Sequence, residues 1–350
     1  MSIDILFCGL IRTVDLFKKS LQDLSELKKQ GLVNNIYFST WKGEPQKNPE
    51  IHQLMKDMNV IIMESEEPAV GGEGNIWKQM KALDVGLGNI KGNNFILKTR
   101  SDVYIHPDFL KKIITSKDLF EITEDLPNGN IFKAKVWVPW FEITRPFYMA
   151  DECFYGLKND LKLLVNYEKK YFEEYTLGPG GPHIMRFINP FLEKYPILYN
   201  SLEKYSDETS IKKGLRKFSR KIFSLDRFKF LRKLNDRNRF HKLRFRLNEK
   251  DYLNYLAASY FIVNSHFYVN SDELLEQVIF REHSKPKVKL NPTNLESNFS
   301  HKMARFEYGG QIYSYNQELV KNICNGNIEK TEVAIKLLDS LQDFKSNNLR

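Results

Sequence analysis

Apolar and polar positions along the first hundred residues fall into two alternating rhythms. Ile3–Cys8 (IDILFC) is a short apolar run ending at Gly9, the pattern of a buried strand. Between Val14 and Lys29, apolar residues recur at 14, 17, 21, 24 and 27, the spacing of one helix face, and Gly31 follows. Asn35–Thr40 (NIYFST) reads as a second strand, Pro49–Met58 as a helix and Val60–Met63 as a third strand. The glycine-rich stretch Gly71-Gly72-Glu73-Gly74 precedes a helix expected from Ile76 to about Leu87, and Asn94–Thr99 (NFILKT) reads as a fourth strand. Strands alternating with helices through short turns predict an α/β fold with a mostly parallel, doubly wound sheet. Sheets of that kind bind ligands beyond the carboxyl ends of their strands.

After Phe109 the rhythm loosens. Ile131–Val138 reads as a strand, Cys153–Leu157 follows a loop containing Pro139 and Pro146, and Asn159–Tyr175 reads as helical. The turn Gly178-Pro-Gly-Gly-Pro182 breaks the chain, and Val333–Leu341 reads as a C-terminal helix. With 350 residues, 42% of them hydrophobic and 13% aromatic, the chain can bury a substantial core. The expected division is a ligand-binding domain over 1–200, a separate basic segment over 201–252, and a C-terminal part over 253–350.

Charge changes this picture because it is concentrated. The net +9 conceals a segment, residues 212–250, holding 16 Lys/Arg against 3 Asp/Glu, a net +13; the remainder carries 37 against 41, a net −4. Three cysteines (Cys8, Cys153, Cys324) lie far apart without a CxxC pair, so neither a disulfide framework nor a zinc site is expected. The first ten residues lack a basic leader and no apolar stretch approaches the ~20 residues of a membrane span. The expected location is therefore cytoplasmic, with association at a membrane surface left open. No HExxH, GxSxG or Walker pattern is present, which argues against those hydrolase and NTPase chemistries.

The densest local chemistry is Ile96-Leu-Lys-Thr-Arg-Ser-Asp102, where an apolar strand runs into Lys98, Arg100 and Asp102. Strand alternation would place these three on one face. Two cations and a carboxylate at a strand's carboxyl end suit a phosphate-bearing ligand, with the carboxylate available to a divalent cation. The alternative is a solvated strand end with a local salt bridge. Gly9 and Arg12 come after the first strand; the glycine permits close backbone approach and the arginine reach to phosphate, or the stretch is a plain turn with Thr13 as a helix cap. Trp41 either stacks on a base or shields a strand end. Asp151 and Glu152 are candidates for a general base, or one of them caps the next segment.

Four stretches, in order, resemble the WavE-type lipopolysaccharide-synthesis glycosyltransferases. Lys98-Thr-Arg100-Ser-Asp102 is similar to the family's K-x-R-[ST]-D strand end, and Ile36–Glu44 (IYFSTWKGE) to its second strand ending in S-T-W. Asn75 and Gln79 with Gly86-Leu87 resemble its N-x-x-x-Q helix. Phe147–Gly156 (FYMADECFYG) resembles its F-x-x-x-D-x-x-F-x-G stretch, followed by Lys158 and Asp160. The matches span about residues 3–165; beyond about 200 there is none. The resemblance implies a GT-A-type, Rossmann-like sheet that binds a nucleotide-sugar. Gly9, Arg12, Thr40, Trp41, Asn75, Gln79, Lys98, Arg100 and Asp102 would then lie on the donor side and Asp151, or else Glu152, would be the base. It also implies a lipid-linked or oligosaccharide acceptor in bacterial lipopolysaccharide or capsule synthesis. In that fold a D-x-D motif holds Mn²⁺ or Mg²⁺. Here the first carboxylate is replaced by Arg100, which puts metal dependence through Asp102 in question; His301 stands where related folds recruit a further ligand, or is an ordinary surface histidine.

The basic segment carries Leu215, Phe218, Ile222 and Leu225 at helical spacing between Arg216, Lys217, Arg220 and Lys221, and Phe240, Leu243 and Leu247 among further cations. Three readings fit: an amphipathic anchor on an anionic membrane, a helix packed on the domain with a basic outer face, and, less favoured, a nucleic-acid patch. Two other functions therefore stand beside glycosyl transfer: sugar-phosphate or nucleotidyl transfer on a similar sheet, and nucleic-acid binding through 212–250.

Overall fold

The structure is a computed structural model that describes residues 2–71, 75–122, 129–139, 147, 149–165, 186–198 and 258–259. Beyond these it describes 261–263, 265–269, 278–280, 299–300, 303–308, 311–316 and 335–336. The basic segment 212–250, the expected 201–252 unit and the metal-ligand candidate His301 lie outside the described residues.

Strands β1 (Ile3–Cys8), β2 (Val33–Trp41), β3 (Ile61–Ser65) and β4 (Phe95–Thr99) form the parallel half of a seven-stranded sheet. The sheet continues through β6 (Val136–Val138), β7 (Phe154–Leu157) and β8 (Phe267–Val269) in the order β3-β2-β1-β4-β7-β6-β8. β7 runs antiparallel to both its neighbours, and β6 and β8 are parallel to each other. The α/β class with a mostly parallel sheet is thus as the alternating rhythm predicts. β5 (Val103–Ile105) pairs separately with β9 (Val278–Phe280). β10 (Phe299–Ser300), β11 (Met303–Tyr308), β12 (Gln311–Asn316) and β13 (Ile335–Lys336) form an antiparallel four-stranded sheet.

Alternation along β1 explains why it is apolar on both faces apart from Asp4. Leu6 and Cys8 enter one buried cluster, with Ile76, Met80, Leu83 and Leu87 of helix α3 (Ile76–Asn89). Ile3, Ile5 and Phe7 enter the other. That second cluster takes Phe17, Leu21, Leu24 and Leu27 from α1 (Val14–Lys29), Ile51 and Met55 from α2 (Pro49–Asp57), and four apolar residues from α4 (Pro107–Thr115). The central strand is covered on both faces, as a parallel strand must be. Helix α3 approaches β1 so closely that a Cβ on Gly86 would lie 2.7 Å from Leu6 Cδ1. At the amino end of β1, buried Asp4 accepts hydrogen bonds from the Asn35 amide (3.1 Å) and from the Asn34 (3.2 Å) and Asn94 (3.3 Å) side chains. One carboxylate thereby joins the starts of β1, β2 and β4.

Departures from the sequence expectations have local causes. β2 extends past the apolar run because its ladder continues to Trp41, paired with Ser65. Ile131–Val138 is strand only from Val136: the Lys133 and Ala134 amides donate to the Asp160 carboxylate (3.0–3.1 Å) and the Lys135 amide to Phe120 O, so they make no ladder bonds there. The helix expected over Asn159–Tyr175 is α5 (Lys158–Leu163), closed by tight bonds from the Leu164 and Val165 amides to Leu161 O and Lys162 O; residues 166–185 lie outside the described set. Within Val333–Leu341, residues Ile335 and Lys336 are not helical but pair with Tyr313 and Ile312 in β13.

Candidate functional site

The chain runs β1, β2, β3 in one direction and then crosses back to place β4 on the other side of β1. The loops after β1 and β4 therefore diverge, leaving the crevice that open α/β sheets use for ligands. A cleft of about 340 Å³ lies there, lined by Cys8, Gly9, Leu10, Arg12, Trp41, Glu67, Asn75, Lys78, Gln79, Lys98, Arg100, Asp102 and Asp151.

The loop after β1 is held from both sides. Gly9 has φ +101°, a conformation other residues rarely adopt, and its amide donates to Ser39 O (2.9 Å). The Ile11 amide donates to the buried Glu44 carboxylate (3.0 Å) and the Arg12 amide to Ser101 Oγ (3.0 Å), while Ser101 Oγ donates to Leu10 O (2.6 Å). These three amides are committed to the protein, and the loop's charged side chain at the cleft is Arg12. Thr13 stands at the α1 cap position without a side-chain capping bond.

β4 ends at Thr99, and Ser101-Asp102 turn, with the Val103 amide bonded to Arg100 O at 3.2 Å. Lys98, Arg100 and Asp102 are brought together by this turn, not by uninterrupted alternation. Arg100 grips Asp102 with two parallel bonds, Nε to Oδ1 at 2.7 Å and Nη2 to Oδ2 at 2.6 Å, and Arg12 Nη1 stands 3.5 Å from Oδ2. The Asp102 side chain is fully buried. Burial alone would push its carboxyl up, but the bonds and charge of Arg100, with Arg12 behind, hold it below the ordinary carboxylate range.

Lys98 does not present its ammonium to the cleft as a bare charge. Its Nζ donates to the main-chain carbonyls of Asp151 and of Glu152 (3.1 Å to the latter), across the antiparallel β4–β7 pair. Burial lowers it to about 8, with Arg186 and Arg100 adding to the fall. Asp151 lines the cleft, whereas Glu152 does not; its Oε2 is buried without a hydrogen-bond partner. Burial, and then the neighbouring Asp151, push the Glu152 carboxyl up to about 7.

Of the remaining expected residues, Asn75 and Gln79 reach the cleft from the start of α3, one turn apart; Arg186 Nη2 lies 3.4 Å from Gln79 Oε1. Trp41 is 5% exposed and belongs to the buried cluster with Tyr37, Met63 and Met80, so it closes the strand end while still bordering the cleft. Thr40 is fully buried and does not line the cleft. Sequence reasoning missed Cys8, Leu10, Glu67 and Lys78. Lys78 is three residues from Asn75, a spacing that shares a helix face, and pairs with Glu67 at 2.5 Å on the rim. Glu67 carried no pattern. Cys8, raised to about 12 by burial, is a protonated thiol in the wall.

No family model matches the chain, and no curated protein matches it. Among solved structures it is similar to S. aureus TarS, at 12% identity and a TM-score of 0.35 over 91% of this chain and 59% of that one. The chain thus spans about three-fifths of that neighbour's length. No helix among the described residues is long and apolar enough to cross a membrane.

Proposed function

We propose that this protein is a glycosyltransferase that binds a nucleotide-sugar in the cleft and passes the sugar to a hydroxyl of a saccharide acceptor. The supporting observation is the arrangement of Arg12 and Arg100, neutralised in part by one buried carboxylate, in the same cleft as Asp151. A departing diphosphate gathers negative charge as its bond to the sugar breaks, and fixed guanidinium groups stabilise charge that develops in place. The acceptor oxygen bonds to the anomeric carbon, the sugar–phosphate bond breaks with its electron pair on the diphosphate, and the hydroxyl proton goes to Asp151. Asn75, Lys78 and Gln79 complete the donor side. The sequence resemblance to the WavE-type enzymes supports the finer reading: a lipid-linked acceptor of lipopolysaccharide or capsule synthesis, met at the cytoplasmic membrane surface through residues 212–250.

Incubation with a panel of nucleotide-sugars and a saccharide acceptor tests this. Release of nucleoside diphosphate is expected, with loss of turnover in Asp151→Asn while the variant stays folded. Pyrophosphate release in a parallel incubation with nucleoside triphosphates and sugar 1-phosphates would instead identify nucleotidyl transfer, and full turnover by Asp151→Asn would remove the proposed base.

A further inference from the structure

The resemblance to GT-A-type enzymes implies a divalent cation between protein and diphosphate, and the residues here do not fit one. Such a cation takes several oxygen ligands, usually at least one of them an uncommitted carboxylate. Both oxygens of Asp102 are engaged by guanidinium groups, and the carboxylate is shut from solvent. Glu67 is paired with Lys78. Among the described residues no three His, Cys, Asp or Glu side chains gather, so an ion would rest chiefly on the ligand's own phosphates and Asp151. A doubly charged ion beside Asp102 would also sit against two guanidinium charges.

The same geometry supplies a substitute. Arg100 spends Nε and Nη2 on Asp102, and Arg12 only Nη1, at 3.5 Å. A guanidinium has five N–H donors in a planar fork, so each arginine keeps donors beyond those turned to Asp102. Asp102 therefore acts as an internal counter-anion that fixes two forks side by side. Arg12, with its side chain 40% exposed, and Arg100, 19% exposed, both border the cleft.

We infer that the cleft holds the diphosphate of its ligand by the paired guanidinium groups of Arg12 and Arg100, set by Asp102, without a divalent cation. The inference rests on the proposed donor class, so its test separates the two. EDTA-dialysed protein is titrated calorimetrically with UDP, GDP, ADP and CDP, in EDTA and again in Mn²⁺. One of these is expected to bind in EDTA with an affinity within about tenfold of that in Mn²⁺. Arg12→Gln and Arg100→Gln are each expected to weaken it about tenfold or more in both buffers, as loss of a charged hydrogen bond does. Arg12 is exposed enough that its variant should fold even if the Arg100 variant does not. Binding that appears, or tightens more than about tenfold, only with Mn²⁺ overturns the inference and leaves glycosyl transfer standing. Metal-free binding unchanged in Arg12→Gln overturns it as well. Absence of diphosphate binding in both buffers overturns the inference and the proposed function together.

Discussion

Lys98 on β4 fixes Asp151 by its backbone: the buried ammonium donates to the Asp151 carbonyl and, at 3.1 Å, to that of Glu152. A strand that the sequence suggests as a ligand-binding strand therefore also sets the position of the proposed base. Lys98→Met keeps the stem but leaves two carbonyls without their donor. It should cost about 1–3 kcal/mol of stability and lower kcat about tenfold or more, with a smaller effect on nucleotide Kd. A comparable loss in Kd and none in kcat would place Lys98 on the ligand instead.

Ser101→Ala removes both the acceptor of the Arg12 amide and the donor to Leu10 O. Nucleotide affinity should fall about threefold to tenfold through misplacement of Arg12, with about 1 kcal/mol lost in stability. Unchanged affinity would show that the loop holds its shape without the hydroxyl.

Glu152 provides a pH signature. The folded chain holds its proton to about pH 7, whereas the ordinary value is 4.5. Between those values the folded state binds more protons, so stability falls as pH rises, and the penalty is complete above about 7. Glu152→Gln should therefore be more stable than the parent at pH 8, by about 1–3 kcal/mol, and should lose that advantage near pH 4.5. Denaturant melts at the two pH values check this; an advantage as large at the lower pH would contradict it.

Gly86→Ala places a methyl 2.7 Å from a Leu6 methyl in the helix-to-sheet contact. Overpacking there should cost about 1–3 kcal/mol, and because α3 carries Asn75 and Gln79, nucleotide affinity should drop with it. A variant as stable as the parent would show that Leu6 can move aside.

Replacing Arg216, Lys217, Arg220 and Lys221 by Gln should weaken binding to anionic vesicles by about 1 kcal/mol per cation, with nucleotide affinity unchanged. Loss of nucleotide affinity instead would tie the segment to the cleft.

The parallel half of the fold was legible because its signals are short-range: β1, α1 and α3 start where apolar runs and periodicity place them. The cleft was legible in part for the same reason. Arg12, Arg100, Asp102 and Asp151 sit next to strand ends, so finding the strands finds them. What sequence does not encode locally is which charges are already spent. Lys98 and Asp102 read either as open ligand groups or as a strand end with a local salt bridge; in the structure one is capped by carbonyls contributed from the β7 side and the other by guanidinium groups 2 and 90 residues away. Asp160 likewise shortened the expected strand before Val136 by taking the amides of Lys133 and Ala134. Trp41 packs against Met63 and Met80 and also borders the cleft, two placements that a lone tryptophan at a strand end does not reveal.

The carboxylate of Asp4 gathers the starts of three strands at the end of β1 opposite the cleft. Foundation and chemistry thus occupy separate ends of one strand, six residues long. Substitutions at Asn75, Lys78 or Gln79 should in consequence alter the cleft without disturbing the joint on which the sheet is assembled, and a library confined to those three positions should retain a high proportion of foldable members.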